Sequence, residues 1–225
     1  GTDIISCFAL GNPVLPVYRG ELQCRGLGMK MEIFDNQGRS IKEKKGELVC
    51  TAAFPSMPIG FWNDPDGKKY FSTYFKQFPN VWCHGDYAEI TGRKSVIIHG
   101  RSDTVLNPGG VRIGTSEIYR VVDQFREIEE SVAIGQEWEG DERIVLFVRL
   151  QSNFRLDKKL IQEICKAIRE AASPRHVPAK ILAVPDIPRT INGKIVEIAV
   201  RDMVHGRRAG NADTLANPEA LKHFL

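Results

Sequence analysis

The chain has 225 residues, 42% hydrophobic and 26% charged, with a formal net charge of +3, which is room for one sizeable core or two smaller ones in an ordinary globular composition. Its lysines and arginines are dispersed among acids rather than gathered into a run, which argues against a nucleic-acid partner and leaves small anions as the fitting ligands. No apolar run approaches the ~20 residues of a membrane span, and five cysteines at wide spacings, without CxxC pairs or matching histidines, fit a reduced, cytoplasmic protein without structural zinc.

From Gly1 to about Gly100 short strands are expected at Glu21–Cys24, Met29–Phe34, Glu47–Thr51, Tyr87–Thr91 and Ser95–His99, between Gly, Asn and Pro clusters. Asp35-Asn-Gln-Gly38 predicts a hairpin turn, and Pro55 to Pro58 an irregular loop. From Arg101 the pattern alternates: helix at Ser116–Phe125, strands at Ser131–Gly135 and Arg143–Leu150, helix at Asp157–Ala172, strand at Lys180–Val184 and a helix from Ile195. That is an α+β domain, so the expected division is a β-rich unit at 1–100, an α+β domain at 101–206 and a tail at 207–225. The tail, with Arg207, Arg208, Gly210 and Asn211, reads as loose up to Asn217-Pro218-Glu219, where Asn217 can cap a short helix. The start Gly-Thr-Asp-Ile-Ile-Ser lacks the regions of a signal peptide, and the missing Met is read as the mark of a piece of something longer.

Four places concentrate chemistry-bearing residues. The segment Gly100 to Tyr119 joins Arg101, Asp103 and Arg112 to Gly109 and Gly110, which permit positive φ, and Thr115 or Ser116 can cap the helix that follows. Guanidinium groups suit phosphate and diol oxygens, although a Gly-rich connector with two solvated arginines would read the same way. In His84-Gly85-Asp86 the carboxylate can accept two hydrogen bonds from a ribose diol, or cap its own turn, while His84 reads as a packed or turn histidine. Pro188-Arg-Thr-Ile-Asn-Gly-Lys194 puts Lys194 on a tethered Asn-Gly turn from which its ammonium can reach phosphoryl charge, though most loop lysines do not. Thr2-Asp3 can pair a phosphate-binding hydroxyl with a carboxylate for Mg²⁺, or be a disordered end.

Taken in order and spacing, Gly-Thr-Asp at 1–3, Gly-Glu-Leu-Val at 46–49, Trp-Cys-His-Gly-Asp at 82–86, Gly-Arg-Ser-Asp at 100–103, Gly-Gly-Val-Arg at 109–112 and Pro-Arg-Thr-Ile-Asn-Gly-Lys at 188–194 resemble the C-terminal third of the adenylate-forming acyl-CoA synthetases. Thr-Asp-Ile-Ile-Ser-Cys-Phe, Phe-Trp-Asn-Asp, Ser-Pro-Arg-His-Val-Pro and Asn-Gly-Lys-Ile-Val-Glu-Ile-Ala-Val look most like the members that act on acetoacetate. The resemblance implies the β-rich end of a large N-terminal domain followed by a mobile lid domain. It also implies ATP, Mg²⁺ and coenzyme A as reaction partners and a two-step ligation through an acyl-adenylate. The phosphate loop and acyl pocket would lie upstream, in a missing N-terminal region, so the chain alone would be inactive.

Carried over residue by residue, the resemblance gives Lys194 to adenylation, Asp86 with Arg101 to the ribose, and Thr2 and Arg112 to the nucleotide phosphates. Asp3 would help hold the metal, and Asp103 would be the hinge. Gly109, Gly110 and Arg112 would face the phosphates or the pantetheine channel in the second step, and Arg169 the 3′-phosphate of coenzyme A, though a solvated helix arginine would look the same. Three departures stand out: Thr104 where a second aspartate is usual, Asp3 where many relatives have glutamate, and Asn192 in place of serine.

Overall fold

The computed structural model describes residues 1–210 and 212–225. The chain divides into two units, Gly1–Ser102 and Asp103–Leu225. The first holds β1 (Ala9–Leu10), β2 (Cys24–Arg25), β3 (Met31–Phe34), β4 (Ser40–Ile41), β5 (Gly46–Cys50), α1 (Lys68–Tyr74), β6 (Trp82–Ile90) and β7 (Val96–Arg101). Its main sheet is antiparallel in the order β4-β3-β5-β6-β7. The Asp35–Gly38 hairpin joins β3 to β4 as expected, the Asp35 carboxylate accepting from the amides of Gln37 and Arg39 at 2.9 and 3.0 Å. The helix α1 was not foreseen, because Lys68-Lys69-Tyr70-Phe71 has no clean apolar stripe. The Asp64 carboxylate fixes its first turn by accepting from Lys69 N and Tyr70 N. Trp82 is 1% exposed and stacks on Tyr74, with ring centroids 3.7 Å apart, while Phe54, Tyr70 and Phe75 pack around it. Burying a side chain of this kind contributes roughly 1.5–3 kcal/mol, so the aromatic cluster holds α1 to the sheet.

The second unit holds α2 (Thr115–Val122), β8 (Ile128–Trp138), β9 (Asp141–Leu150), α3 (Lys158–Ala171), β10 (Lys180–Ala183) and α4 (Glu197–Val204). The hairpin β8–β9 turns at Glu139-Gly140, both at positive φ, and β10 adds in parallel to β9. Both faces of this sheet are covered, so its strands read as unbroken apolar runs rather than alternations. Ala133, Leu146 and Val148 face α2 and α3 with Ile118, Ile164 and Ile168. Val132, Ile134, Val145 and Phe147 face the other way, onto Ile187, Val200 and Phe224.

Two expected caps are replaced. The residue preceding α2 is Gly114, whose amide donates to Glu117 Oε1 at 3.0 Å; Thr115 and Ser116 lie inside the helix, and the glutamate does the work expected of a hydroxyl. Asn217 makes no side-chain cap on the 3₁₀ segment Pro218–Phe224 and spends its amide elsewhere. The tail is also less loose than expected, since Ala209, Leu215, Ala220, Leu221 and Phe224 are buried; Asn211 lies outside the described residues.

Candidate active site

In the first unit the register of β6 and β7 sets Asp86 opposite Arg101. Arg101 Nη1 lies 3.8 Å from Asp86 Oδ1 and donates to the His84 carbonyl at 3.3 Å. Gly85, at φ +79°, makes this possible: a Cβ there would sit 2.8 Å from Arg101 Nη2. His84 packs edge-on against Phe8 and accepts from Trp82 Nε1 at its Nδ1, 3.4 Å away, which turns Nε2 toward Asp86 Oδ2 at 3.6 Å. Burial lowers the His84 pKa against the pull of Asp86 and Asp3. The Asp3 carboxylate accepts from the Tyr74 hydroxyl at 3.0 Å. Burial opposes its ionisation, but its own backbone amide, the Tyr74 bond and the His84 charge hold it below the usual aspartate range. Burial and that bond push the Tyr74 phenol up to about 12.

Thr2 is exposed in the same turn, its carbonyl accepting from Ile5 N at 3.2 Å. Asp3, Asp86 and Arg101 are thus gathered around a packed histidine, with Thr2 preceding Asp3 in the chain. Sequence reasoning named these four residues as candidates and read His84 as packed, as it is, but missed Tyr74 as the group that orients Asp3. Tyr74 lies 71 residues from Asp3 with no local signal to connect them.

In the second unit Asp103 belongs to a 3₁₀ turn, Ser102–Thr104, and its carbonyl accepts from Arg201 Nη1 at 2.7 Å. Gly109 and Gly110 take φ of +57° and +77°, as their sequence context requires. The amides of this turn are spent inside the unit: Gly109 N donates to Asp141 at 3.0 Å, Asn107 N to Glu142 Oε1 at 2.5 Å, Gly110 N to Asn107 O at 3.3 Å and Val111 N to Pro108 O at 3.2 Å. Arg112 is exposed beside them, and a Cβ on Gly109 would meet Arg175 Nη1 at 2.9 Å. Arg175, just after α3 in Ser173-Pro-Arg-His176, is a basic group that spacing did not flag. Arg169 is exposed in the last turn of α3. Behind α2, the buried Tyr119 hydroxyl donates to Glu197 at the start of α4 and accepts from Ala133 N at 3.0 Å.

Lys194 lies at the end of a narrow hairpin. Arg189 bridges Ile195, Thr190 N donates to Lys194 O at 2.8 Å, Gly193 turns at φ +76° with its amide on Thr190 O, and Lys194 N donates to Thr190 Oγ1 at 3.2 Å. The Lys194 side chain is exposed. The Gly109–Arg112 turn rests on the tip of β8–β9, whereas the Lys194 hairpin rests on the carboxyl-terminal segment, so the two have separate supports.

The family model of the AMP-binding enzyme C-terminal domain matches residues 118–194. Over this stretch the chain is similar to that domain. Its match runs from α2 to Lys194 itself, taking in Tyr119, Arg169 and Arg175, while Asp3, Asp86 and Arg101 precede it. Across 224 residues, 100% of the chain, it is 61% identical to an acetoacetyl-coenzyme A synthetase of Rhizobium meliloti (strain 1021). The acetoacetyl-CoA synthetase of Gallus gallus is 46% identical over 98% of the chain. An acetoacetyl-CoA synthetase structure from Streptomyces lividans superposes over 100% of the chain with a TM-score of 0.94 at 44% identity. The chain is a homologue of these synthetases and spans about a third of their length, 34%, 33% and 34% respectively. The mixed helix-and-sheet architecture of the AMP-binding C-terminal domain is that of adenylate-forming enzymes. No helix among the described residues is long and apolar enough to cross a membrane.

Proposed function

We propose that this chain is the C-terminal third of an ATP-dependent acid–CoA ligase that joins acetoacetate to coenzyme A through an acyl-adenylate, releasing AMP and pyrophosphate. The observation that carries the reading is the 61% identity to an acetoacetyl-coenzyme A synthetase over the whole chain. In it, Asp86 accepts the ribose hydroxyls while Arg101, leaning over Gly85, holds that carboxylate in place. Thr2 faces phosphate. Asp3 fits a Mg²⁺ ion that arrives with the nucleotide, because its carboxylate is held ionised by its partners and Mg²⁺ commonly takes only one or two protein carboxylates. Among the described residues no group of three or more metal-binding side chains gathers, so Asp3 would supply one ligand beside phosphate and water.

Lys194 neutralises charge developing on the α-phosphate during adenylation. Asp103 is the hinge about which the unit 103–225 turns between the steps, and the Gly109–Arg112 face then serves thioester formation. Because the amides of that turn already have acceptors, the neutral pantetheine arm suits it better than a phosphate does. Arg112, Arg169 and Arg175 supply positive charge for the nucleotide end of coenzyme A.

The test is ATP–pyrophosphate exchange by the complete enzyme that carries this chain. Exchange that requires acetoacetate, with none from the 225-residue chain alone, is the expected result. Exchange that requires a different short acid would keep the ligase and change its substrate; no exchange with any acid would point to a non-catalytic nucleotide-binding module.

A further inference from the structure

The chain leading into the Lys194 hairpin is held on its outer side by a segment that lies beyond the AMP-binding C-terminal domain match. Thr190 bridges Leu215, and the Arg189 carbonyl accepts from Ala216 N at 2.8 Å. Asn217 closes the join: its Oδ1 accepts from Arg189 N at 2.9 Å, and its Nδ2 donates to Ile187 O at 2.9 Å and to Asp186 Oδ2 at 2.6 Å. Both polar groups of the Arg189 backbone are therefore taken by the 215–217 segment, while the Arg189 side chain is drawn to Glu130 on β8. The segment is itself anchored, Leu215 at 7%, Leu221 at 8% and Phe224 at 3% exposure. A four-point amide clamp onto an anchored tail is more than a surface hairpin of this length needs.

We infer that Asn217 is a positioning residue for Lys194, through which the carboxyl-terminal segment fixes the hairpin that presents the ammonium. The inference rests on the reading of Lys194 as the adenylation lysine. Its consequence is selective. Asn217 touches neither Gly109 nor Arg112, so its loss should blur the aim of Lys194 and leave the thioester step alone.

In the complete enzyme, Asn217→Ala should slow acyl-adenylate formation roughly tenfold, because small misplacements of a catalytic group are costly, while thioester formation from preformed acyl-adenylate stays within about twofold. Asn217→Asp adds a signature that a merely structural role would not show. It keeps the acceptor for Arg189 N but sets a second carboxylate against Asp186, with Arg189, Arg149 and Glu130 the other charges facing the pair. Two close carboxylates share a proton more readily as pH falls, so the adenylation defect relative to wild type should shrink on going from roughly pH 8 to pH 6. A Lys194→Ala enzyme is run alongside. If Lys194→Ala separates the half-reactions but Asn217→Ala leaves adenylation at wild-type rate, or depresses both steps equally, the inference is overturned and the reading of Lys194 stands. If Lys194→Ala itself fails to separate them, both fall. Should Asn217→Ala not fold, the Asn217→Asp profile decides: a defect relieved by acid supports the clamp, and one indifferent to pH contradicts it.

Discussion

The residues gathered in the first unit owe their protonation states to neighbours distant in sequence, and that dependence can be read by titration. Tyr74 has its folded-state pKa raised to about 12, so the bond it gives Asp3 adds stability fully below the unfolded phenol value of about 10 and loses it as pH rises through the folded value. Asp3 has its pKa depressed, so its share is present above the unfolded aspartate value and is lost as pH falls through the folded one. The melting-temperature advantage of the wild type over Tyr74→Phe should therefore be a plateau that closes at both ends, in acid and above about pH 10. A gap of constant size from acid to strong base would mean that the ring packing against Trp82, and not the Asp3 bond, is what the hydroxyl variant disturbs. Gly85 offers a second reading at this scale. Gly85→Ala places a methyl against Arg101 at a strained φ, a cost of order 1–3 kcal/mol. We expect a raised KM for ATP in the complete enzyme from displacement of the guanidinium, which steady-state kinetics would detect.

At the scale of elements, α2, β8 and α4 of the second unit meet at one buried hydrogen-bonded point. Tyr119 on α2 donates to Glu197 on α4 and accepts from Ala133 N of β8. Tyr119→Phe deletes one acceptor and one donor in a buried place, and should cost roughly 1–3 kcal/mol in urea unfolding of this unit; an unchanged midpoint would show that the hydroxyl is dispensable.

Which elements were legible from sequence follows from where their determinants lie. The strands expected at Ser131–Gly135 and Arg143–Leu150, the helix at Asp157–Ala172 and the Asp35–Gly38 turn rest on local signals, and the structure has β8, β9, α3 and the hairpin over them, β8 running longer, Ile128–Trp138. The helix α1 escaped because packing onto Trp82, not periodicity, stabilises it. Asn217 was misassigned for a related reason: Asn-Pro-Glu is a good helix-start signal, but the Asn side chain found better partners 28 to 31 residues upstream. Within the candidate site, the residues that bear charge could be picked out by type and spacing, whereas the groups that aim them, Tyr74, Asp141 and Asn217, act across long loops that no spacing rule reaches.

For the whole molecule, the division at Ser102–Asp103 and the span of about a third of its relatives' length bear on one claim. On the proposed reading, a single unit serves two chemical steps through two separately supported turns, Lys194 for the first and Gly109–Arg112 for the second. The most direct measurement compares both half-reactions in the complete enzyme for Lys194→Ala and Gly109→Leu. The account predicts a double dissociation: Lys194→Ala lowers acyl-adenylate formation by about 10²- to 10³-fold, the scale on which one lost charge-stabilising group acts, and spares thioester formation from preformed adenylate. Gly109→Leu, strained at φ +57° and pressed against the Arg175 guanidinium, should do the reverse. Equal losses in both half-reactions for either variant would contradict it.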